Sequence, residues 1–343
     1  MTSAVAKTSS LVYYTNQFFG EYLKDDSINE IAYQKPHEIW VELNTGEWVK
    51  RENELDETKA LSLAITLAGN IKADISDKKP ILSCVLPEGE RVQVVIPPAS
   101  NLTSVTIRKP SRKRITFNDL RKSNIFNEIV KLDPNYISET DKELVALYNS
   151  LKWEQFLAKA VEYGKTIIIA GETGSGKTTF MKSLIDFIPK DERIITIEDV
   201  PEIKFYEHEN YINLFYPSEA KPSDFLNSAT LLKSCLRMKP DRILLAELRG
   251  GETYDFLNVI SSGHKGSITS LHAGSPQEAF IRLAFMILQN EQGQCIPFDR
   301  IIKMLTNVIH IVVHFTLIKG KRVITGVYFD LVNKDISESL LKG

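Results

Sequence analysis

Between an apolar run, Thr166–Ala170, and an amphipathic run, Lys177–Phe187, the chain reads Gly171-Glu172-Thr173-Gly174-Ser175-Gly176-Lys177-Thr178. This is GxxxxGK[ST] matched at every fixed position, in the strand–loop–helix context that the motif requires. It constrains the fold more than any other stretch. Glycines let consecutive backbone N–H groups turn inward around an anion, and a helix starting near Lys177 adds the positive end of its dipole. Lys177 can reach the β- and γ-phosphate oxygens, and the Thr178 hydroxyl can join a Mg²⁺ shell. The expected cofactor-binding set is therefore Gly171, Glu172, Thr173, Gly174, Ser175, Gly176, Lys177, Thr178 and Thr179, with ATP and Mg²⁺ as cofactors. A phosphate loop does not by itself name a reaction. The absence of a downstream NKxD string sets the guanine-specific reading aside.

The elements around the loop alternate. Trp153–Tyr163 is amphipathic and Gly164 suits its C-terminal cap. Arg193–Ile197, Arg242–Leu248, Gly266–Leu271 and Val308–Leu317 read as strands. Helices are expected at Ser223–Met238, with Ser223 as N-cap, near Glu252–Ser262 and at Pro276–Leu288. Alternating β and α predicts a mostly parallel sheet covered on both faces, closed by a hairpin running through Lys319-Gly320-Lys321 to Leu331.

Residues 1–110 have another character. Leu11, Tyr14, Phe18 and Tyr22 fall at helical spacing. His37–Glu42 turns at Asn44-Thr45-Gly46 and resumes through Trp48, a hairpin signal. Leu55–Ile71 is helical, and Arg91–Ile96 and Ser104–Arg108 are short alternating runs. This predicts a smaller α+β domain. Between the two, residues 111–150 read as a linker with a helix over Phe117–Leu132. Residues 151–343 form the nucleotide-binding domain. Seven basic residues (Arg108, Lys109, Arg112, Lys113, Arg114, Arg121 and Lys122) fall within fifteen positions at the start of the linker. They suit either a solvated connection or attraction to anionic lipid or an acidic neighbour. The aromatic Leu11–Leu23 stretch can likewise belong to the domain core or a subunit contact, or touch a membrane surface.

Composition matters at three points. With 42 Lys+Arg against 44 Asp+Glu, the formal charge of −2 argues against a nucleic-acid coat. Cys84, Cys235 and Cys295 are far apart without a CxxC, so neither a disulfide framework nor a zinc cluster is expected and a reducing cytoplasm fits. The longest apolar stretches are strand-sized and no secretory leader is visible, so any membrane contact should be peripheral.

The carboxylates and histidines narrow the chemistry. Ile194–Ile197 ends in Glu198-Asp199, where strand ends meet ligands and an acid can orient water. Arg242–Ala246 ends in Glu247, seventy residues after Lys177, as a Walker-B-like acid for the metal shell. Gly263-His264-Lys265-Gly266 and Leu271-His272-Ala273-Gly274 put a histidine at each end of a short strand. His272 can face the γ-phosphate, while His264 stays open. His37, His208, His310 and His314 read as structural.

In this order the motifs resemble the Walker A, Asp box, Walker B and His box of type II and type IV secretion ATPases. Arg237-Met238-Lys239-Pro240-Asp241-Arg242, Gly89-Glu90-Arg91-Val92-Gln93 and Ile107-Arg108-Lys109-Pro110 look closest to the traffic ATPase of type IV secretion systems. The resemblance spans roughly residues 15–330. It implies a RecA-like C-terminal domain and a hexameric ring. It also implies Glu198 as catalytic base, Glu247 as Walker B acid and metal ligand with Thr178, and His272 in the γ-phosphate sensor. Lys177, Arg91 and Arg108 are expected on the phosphates, the two arginines from the N-terminal domain. Expected partners are further copies of the chain and the inner-membrane and ATPase components of a secretion channel, at the cytoplasmic face of the membrane, with no sequence-specific nucleic acid. Two features depart from the family pattern or separate its branches: Ala246 stands where Gly is common, and no tetracysteine module is present. Competing readings are a type II or pilus motor, a nucleic-acid-stimulated motor, and a nucleotide-gated adaptor.

Overall fold

The computed structural model describes residues 2–111, 114–127, 129, 133 and 136–333, with side chains from Leu11 onward. It contains two sheets. In the first, helix α1 (Thr2–Lys24) precedes β1 (Ile28–Lys35), β2 (Glu38–Leu43) and β3 (Trp48–Glu52); helix α2 (Glu57–Asn70) precedes β4 (Ile81–Val85), β5 (Arg91–Val95) and β6 (Ser104–Arg108). The strand order is β3-β2-β1-β6-β5-β4, every neighbour antiparallel. The expected hairpin is β2–β3, and α2 starts where Asp56 accepts a hydrogen bond from the Lys59 amide at 2.9 Å. Helices α1 and α2 cover one face. Leu11, Phe18, Phe19 and Tyr22 of α1 are buried there with Leu63, Leu67, Ile31 and Val105, so this aromatic face belongs to the domain core. Tyr13 points to solvent.

The connecting segment is shorter in helix than its pattern suggests. α3 (Phe117–Lys122) ends after six residues, and 123–127 are turns. Arg112, Lys113 and the end of the expected Phe117–Leu132 helix lie outside the described residues. Farther on, Ser138 caps α4 (Glu139–Asn149), and Leu144 of α4 is fully buried against α5 (Trp153–Glu162).

The second sheet contains β7 (Ile167–Gly171), β8 (Ile194–Glu198), β9 (Tyr211–Phe215), β10 (Arg242–Leu245), β11 (Ile268–Leu271), β12 (Ile311–Ile318) and β13 (Lys321–Phe329). Its order is β13-β12-β7-β11-β10-β8-β9, parallel throughout except for the β12–β13 hairpin. Helix α6 (Lys177–Leu184) follows β7. Helices α7 (Ser228–Cys235), α8 (Glu252–Ser261), α9 (Pro276–Leu288) and α10 (Phe298–Val308) complete the layers. Strand alternation sorts β7 between two cores. Ile168 and Ala170 pack with α7–α10, whereas Ile167 and Ile169 pack with α4–α6. The α/β class with a mostly parallel sheet is thus realised. Helix α7 is shorter than expected: Asn227, not Ser223, is its cap, accepting from the Thr230 amide at 2.9 Å.

The two sheets meet through polar contacts. The Phe215 amide donates to Ala99 O (2.9 Å), Gln93 donates to Ser234 Oγ (2.8 Å) and Trp48 Nε1 donates to Asp241 (3.2 Å). Arg193, fully buried, reaches Gln34, Asn210 at 2.7 Å and Met238 O at 3.1 Å, and lies over the Trp48 ring.

Candidate active site

The phosphate loop leaves β7 at the C-terminal edge of the second sheet. Gly171, Gly174 and Gly176 all adopt positive φ (153°, 75° and 101°), a region other residues enter only with strain. Gly171 also has no room for a side chain: a Cβ there would lie 2.5 Å from Phe315 O of β12. Lys177 opens α6 and folds back over the loop, donating to Gly171 O and Glu172 O at 2.8 Å each. Burial pulls its pKa below the usual lysine range, and Glu247 opposes that shift.

A cavity of about 220 Å³ lies against this loop, lined among others by Thr173, Lys177, Thr178, Glu198, Glu247 and His272. The structure thus brings together Lys177, Thr178, Glu198, Glu247 and His272, and Glu198 ends β8 while Glu247 and His272 follow β10 and β11. These are C-terminal strand ends, where an open α/β sheet places its ligands. His272 bridges the group: its Nδ1 stands 3.5 Å from Lys177 Nζ and its Nε2 stands 2.7 Å from Glu247 Oε1. The second contact is a charge approach off the line of a full hydrogen bond, because Glu247 Oε1 is buried without an aligned donor. A buried carboxylate oxygen in that condition, in a cavity that Thr178 also lines, fits the hard oxygen donors that Mg²⁺ prefers. Thr179, one residue on, is exposed and does not line the cavity.

Glu198 is held differently. It is 1% exposed and accepts four bonds: from Thr196 Oγ1 (2.6 Å), Asn213 Nδ2 (3.1 Å), and the amides of Glu202 (2.9 Å) and Ile203 (2.8 Å). The neighbouring Asp199 and an arginine that sequence reasoning missed complete the rim. Arg249 donates to Asp199 (2.7 Å) and to Glu247 (2.7 Å), which raises its own pKa further. Its sequence signal is its place in the string Ala246-Glu247-Leu248-Arg249, two residues after Glu247, to which the motif reading attaches no role.

Arg91 and Arg108 lie elsewhere. They face each other across the β5–β6 ladder and line a cleft at the opposite edge of the second sheet, with His264. His208, His310 and His314 make internal hydrogen bonds, and burial holds His310 down to about 4.

A family model described as "Type II/IV secretion system protein" matches residues 15–321. The chain belongs to that family. It is 46% identical over 315 residues to the type IV secretion system protein VirB11 of Brucella abortus biovar 1, covering 91% of this chain and 87% of the relative. It is 38% identical over 319 residues to the type IV secretion system protein PtlH of Bordetella pertussis, covering 91% and 92%. The crystal structure of the VirB11 ATPase from the Brucella suis type IV secretion system, in complex with sulphate, superposes with a TM-score of 0.90 at 42% identity over 100% of both chains. The chain is a type IV secretion traffic ATPase, with a RecA-like second domain, and its reaction is ATP hydrolysis. Among the described residues, no helix of this traffic ATPase is long and apolar enough to cross a membrane.

Proposed function

We propose that the chain is the motor of a type IV secretion system, a six-membered ring at the cytoplasmic face of the membrane that couples ATP hydrolysis to domain motion. The observation that carries this reading is the His272 bridge between Lys177 and Glu247. It ties the phosphate-binding cation to the Walker B acid, so a change of charge at the γ-phosphate is felt at both. The glycine-rich backbone and Lys177 take the phosphates. Thr178 and Glu247 hold Mg²⁺, which when bound neutralises phosphate charge. Glu198 serves as the base that orients water, which requires it to release one of its four internal bonds. His272 senses the γ-phosphate.

Arg91 and Arg108 act on phosphates from outside the chain that binds them. Arg91 and Arg108 stand directly opposite on neighbouring strands, where like charges repel, and the chain's own Glu30 answers Arg108 alone, at 3.5 Å. They sit at the edge of the second sheet farthest from their own phosphate loop, which supports a ring in which each copy completes its neighbour's site. Coupling then follows from the polar contacts between the two sheets, which transmit domain closure. Substrate export or pilus assembly is the work performed, in contact with the inner-membrane and ATPase components of the channel.

Native mass of the purified chain with Mg²⁺ and a slowly hydrolysed ATP analogue tests this. A six-copy species is expected; a stable monomer or dimer that still binds the analogue would overturn the ring.

A further inference from the structure

Three polar side chains interrupt the aliphatic interior of β8 and β9. Ile194, Ile195, Ile197, Ile212 and Leu214 are buried there, as a sheet covered on both faces requires. Thr196 and Glu198, two apart on one face of β8, are buried as deeply, at 0% and 1% exposed, and Asn213 lies directly beside Thr196 on β9, at 8%. Burying such groups costs free energy that aliphatic side chains would not. Their hydrogen bonds converge on Glu198. Asn213 Nδ2 donates to Thr196 Oγ1 (2.8 Å) and to Glu198 Oε1 (3.1 Å), with a longer contact to Ile203 O (3.4 Å). Thr196 Oγ1 donates to the same Oε1 at 2.6 Å.

The two oxygens of Glu198 are held by different parts of the fold. Oε1 is held by side chains of two buried strands. Oε2 is held by the amides of Glu202 (2.9 Å) and Ile203 (2.8 Å), in the irregular turn that follows β8. Val200, Pro201 and Glu202 of that turn are exposed, and Val200, Glu202 and Ile203 line the cavity at the phosphate loop. Thr196 and Asn213 stand outside that lining. Four bonds fill the four acceptor positions of a carboxylate, so one must open before it can take a water. The turn can withdraw its amides. The strand side chains are fixed by the pairing of Thr196 with Asn213 and cannot withdraw without parting β8 from β9. The far edge of β9 is held in turn by the N-terminal domain, where Ala99 O accepts from the Phe215 amide at 2.9 Å.

We propose that Asn213 and Thr196 are positioning residues for hydrolysis: they clamp Oε1 of Glu198, so that Oε2 is the oxygen that faces the attacking water once the turn at 199–203 withdraws its amides. The assignment rests on the reading of Glu198 as the base. In that step the water oxygen bonds the γ-phosphorus, the bridging P–O bond breaks with its electron pair going to ADP, and the water's proton goes to Oε2. With Oε1 clamped, the carboxylate does not turn with the departing amides, and its freed oxygen stays aimed into the cavity.

The test is hydrolysis by Thr196→Val, which keeps the side-chain shape and removes the hydroxyl. kcat should fall about 10-fold, while KM and binding of a slowly hydrolysed ATP analogue stay within a few fold. Thr196→Ser, which puts the hydroxyl back, should recover most of that loss. In a Glu198→Gln background the same Thr196→Val exchange should change single-turnover hydrolysis by less than about twofold, because a residue that acts through Glu198 then has nothing to position. An unchanged kcat in Thr196→Val, an equal loss in binding, no recovery in Thr196→Ser, or a full further loss in the Glu198→Gln background would each overturn the proposal. If Thr196→Val does not fold, Asn213→Ser is carried through the same two backgrounds with the same expected fall in kcat. Wild-type turnover by Glu198→Gln alone would instead strike the reading of Glu198 as the base.

Discussion

The two edges of the seven-stranded sheet are built on opposite principles. At the C-terminal edge nearly every charge is answered within the chain: Lys177 by carbonyls, Glu198 by four donors, and Glu247 and Asp199 by Arg249. At the N-terminal edge cations outnumber their partners, and two arginines oppose each other on adjacent strands. A pre-satisfied edge holds its geometry before the ligand arrives, which is what electrostatic catalysis requires. At the N-terminal edge Glu30 lies beside Arg108 at 3.5 Å, and Arg91 opposite it has no carboxylate partner among the described residues. The contrast teaches that the phosphate loop is organised within its own domain, whereas Arg91 and Arg108 stand at a cleft between the two domains.

The largest effect should come from the satisfied edge. Lys177→Ala is expected to lower ATP turnover by about 10³-fold, a loss of roughly 4 kcal/mol of transition-state stabilisation, measured as steady-state phosphate release. Turnover within a few fold of wild type would erase the distinction between the edges. Glu247→Gln ranks next. It keeps the shape but removes the charge shared with His272 and Arg249, and should lower turnover by about 10²-fold while leaving analogue binding within a few fold. Equal losses in binding and turnover would mean that Glu247 mainly holds the loop.

The smallest effect probes the unsatisfied edge. Burial pushes the Glu30 carboxyl up to about 7, despite Arg108 beside it. A raised carboxyl pKa means that the folded chain binds this proton more tightly than the unfolded one. Its contribution is therefore greatest at low pH and is lost as pH rises from the ordinary glutamate range towards about 7. Relative to Glu30→Gln, the wild-type chain should lose up to about 1.4 kcal/mol per pH unit in that window. Denaturant unfolding of both chains from mildly acidic to neutral pH measures it; parallel profiles would show that Glu30 ionises freely.

What was legible in the sequence follows from how local each signal is. The strand–loop–helix at Ile167–Leu184 is carried by contiguous residues: an aliphatic run, glycines with positive φ, then a helix. The β2–β3 hairpin and the terminal β12–β13 hairpin announce themselves through their turns. β1 is illegible because Asn29, Glu30 and Gln34 interrupt its apolar pattern, and two of these polar residues are buried for contacts beyond their own strand: Glu30 beside Arg108 and Gln34 against Asn210. β9 is five residues long and follows an irregular stretch that gives no boundary. α10 carries helical spacing at Ile301, Ile302 and Leu305, but it runs directly into the apolar strand residues from Ile311, which blur its end. In the site, Lys177, Glu247 and His272 were readable from motifs. Arg249 was not, since its partner Asp199 lies fifty residues away and only the sheet brings them together.

Two glycines of the phosphate loop are pressed against the terminal hairpin. A methyl on Gly171 would strike Phe315 O at 2.5 Å, and one on Gly176 would meet Arg322 Cδ at 2.9 Å. The first obstacle is backbone and cannot yield; the second is a flexible side chain that can. The loop and the β12–β13 hairpin are thus seated on each other like a key on its shoulder. A side chain at Gly171 would therefore displace the β12 backbone together with the loop.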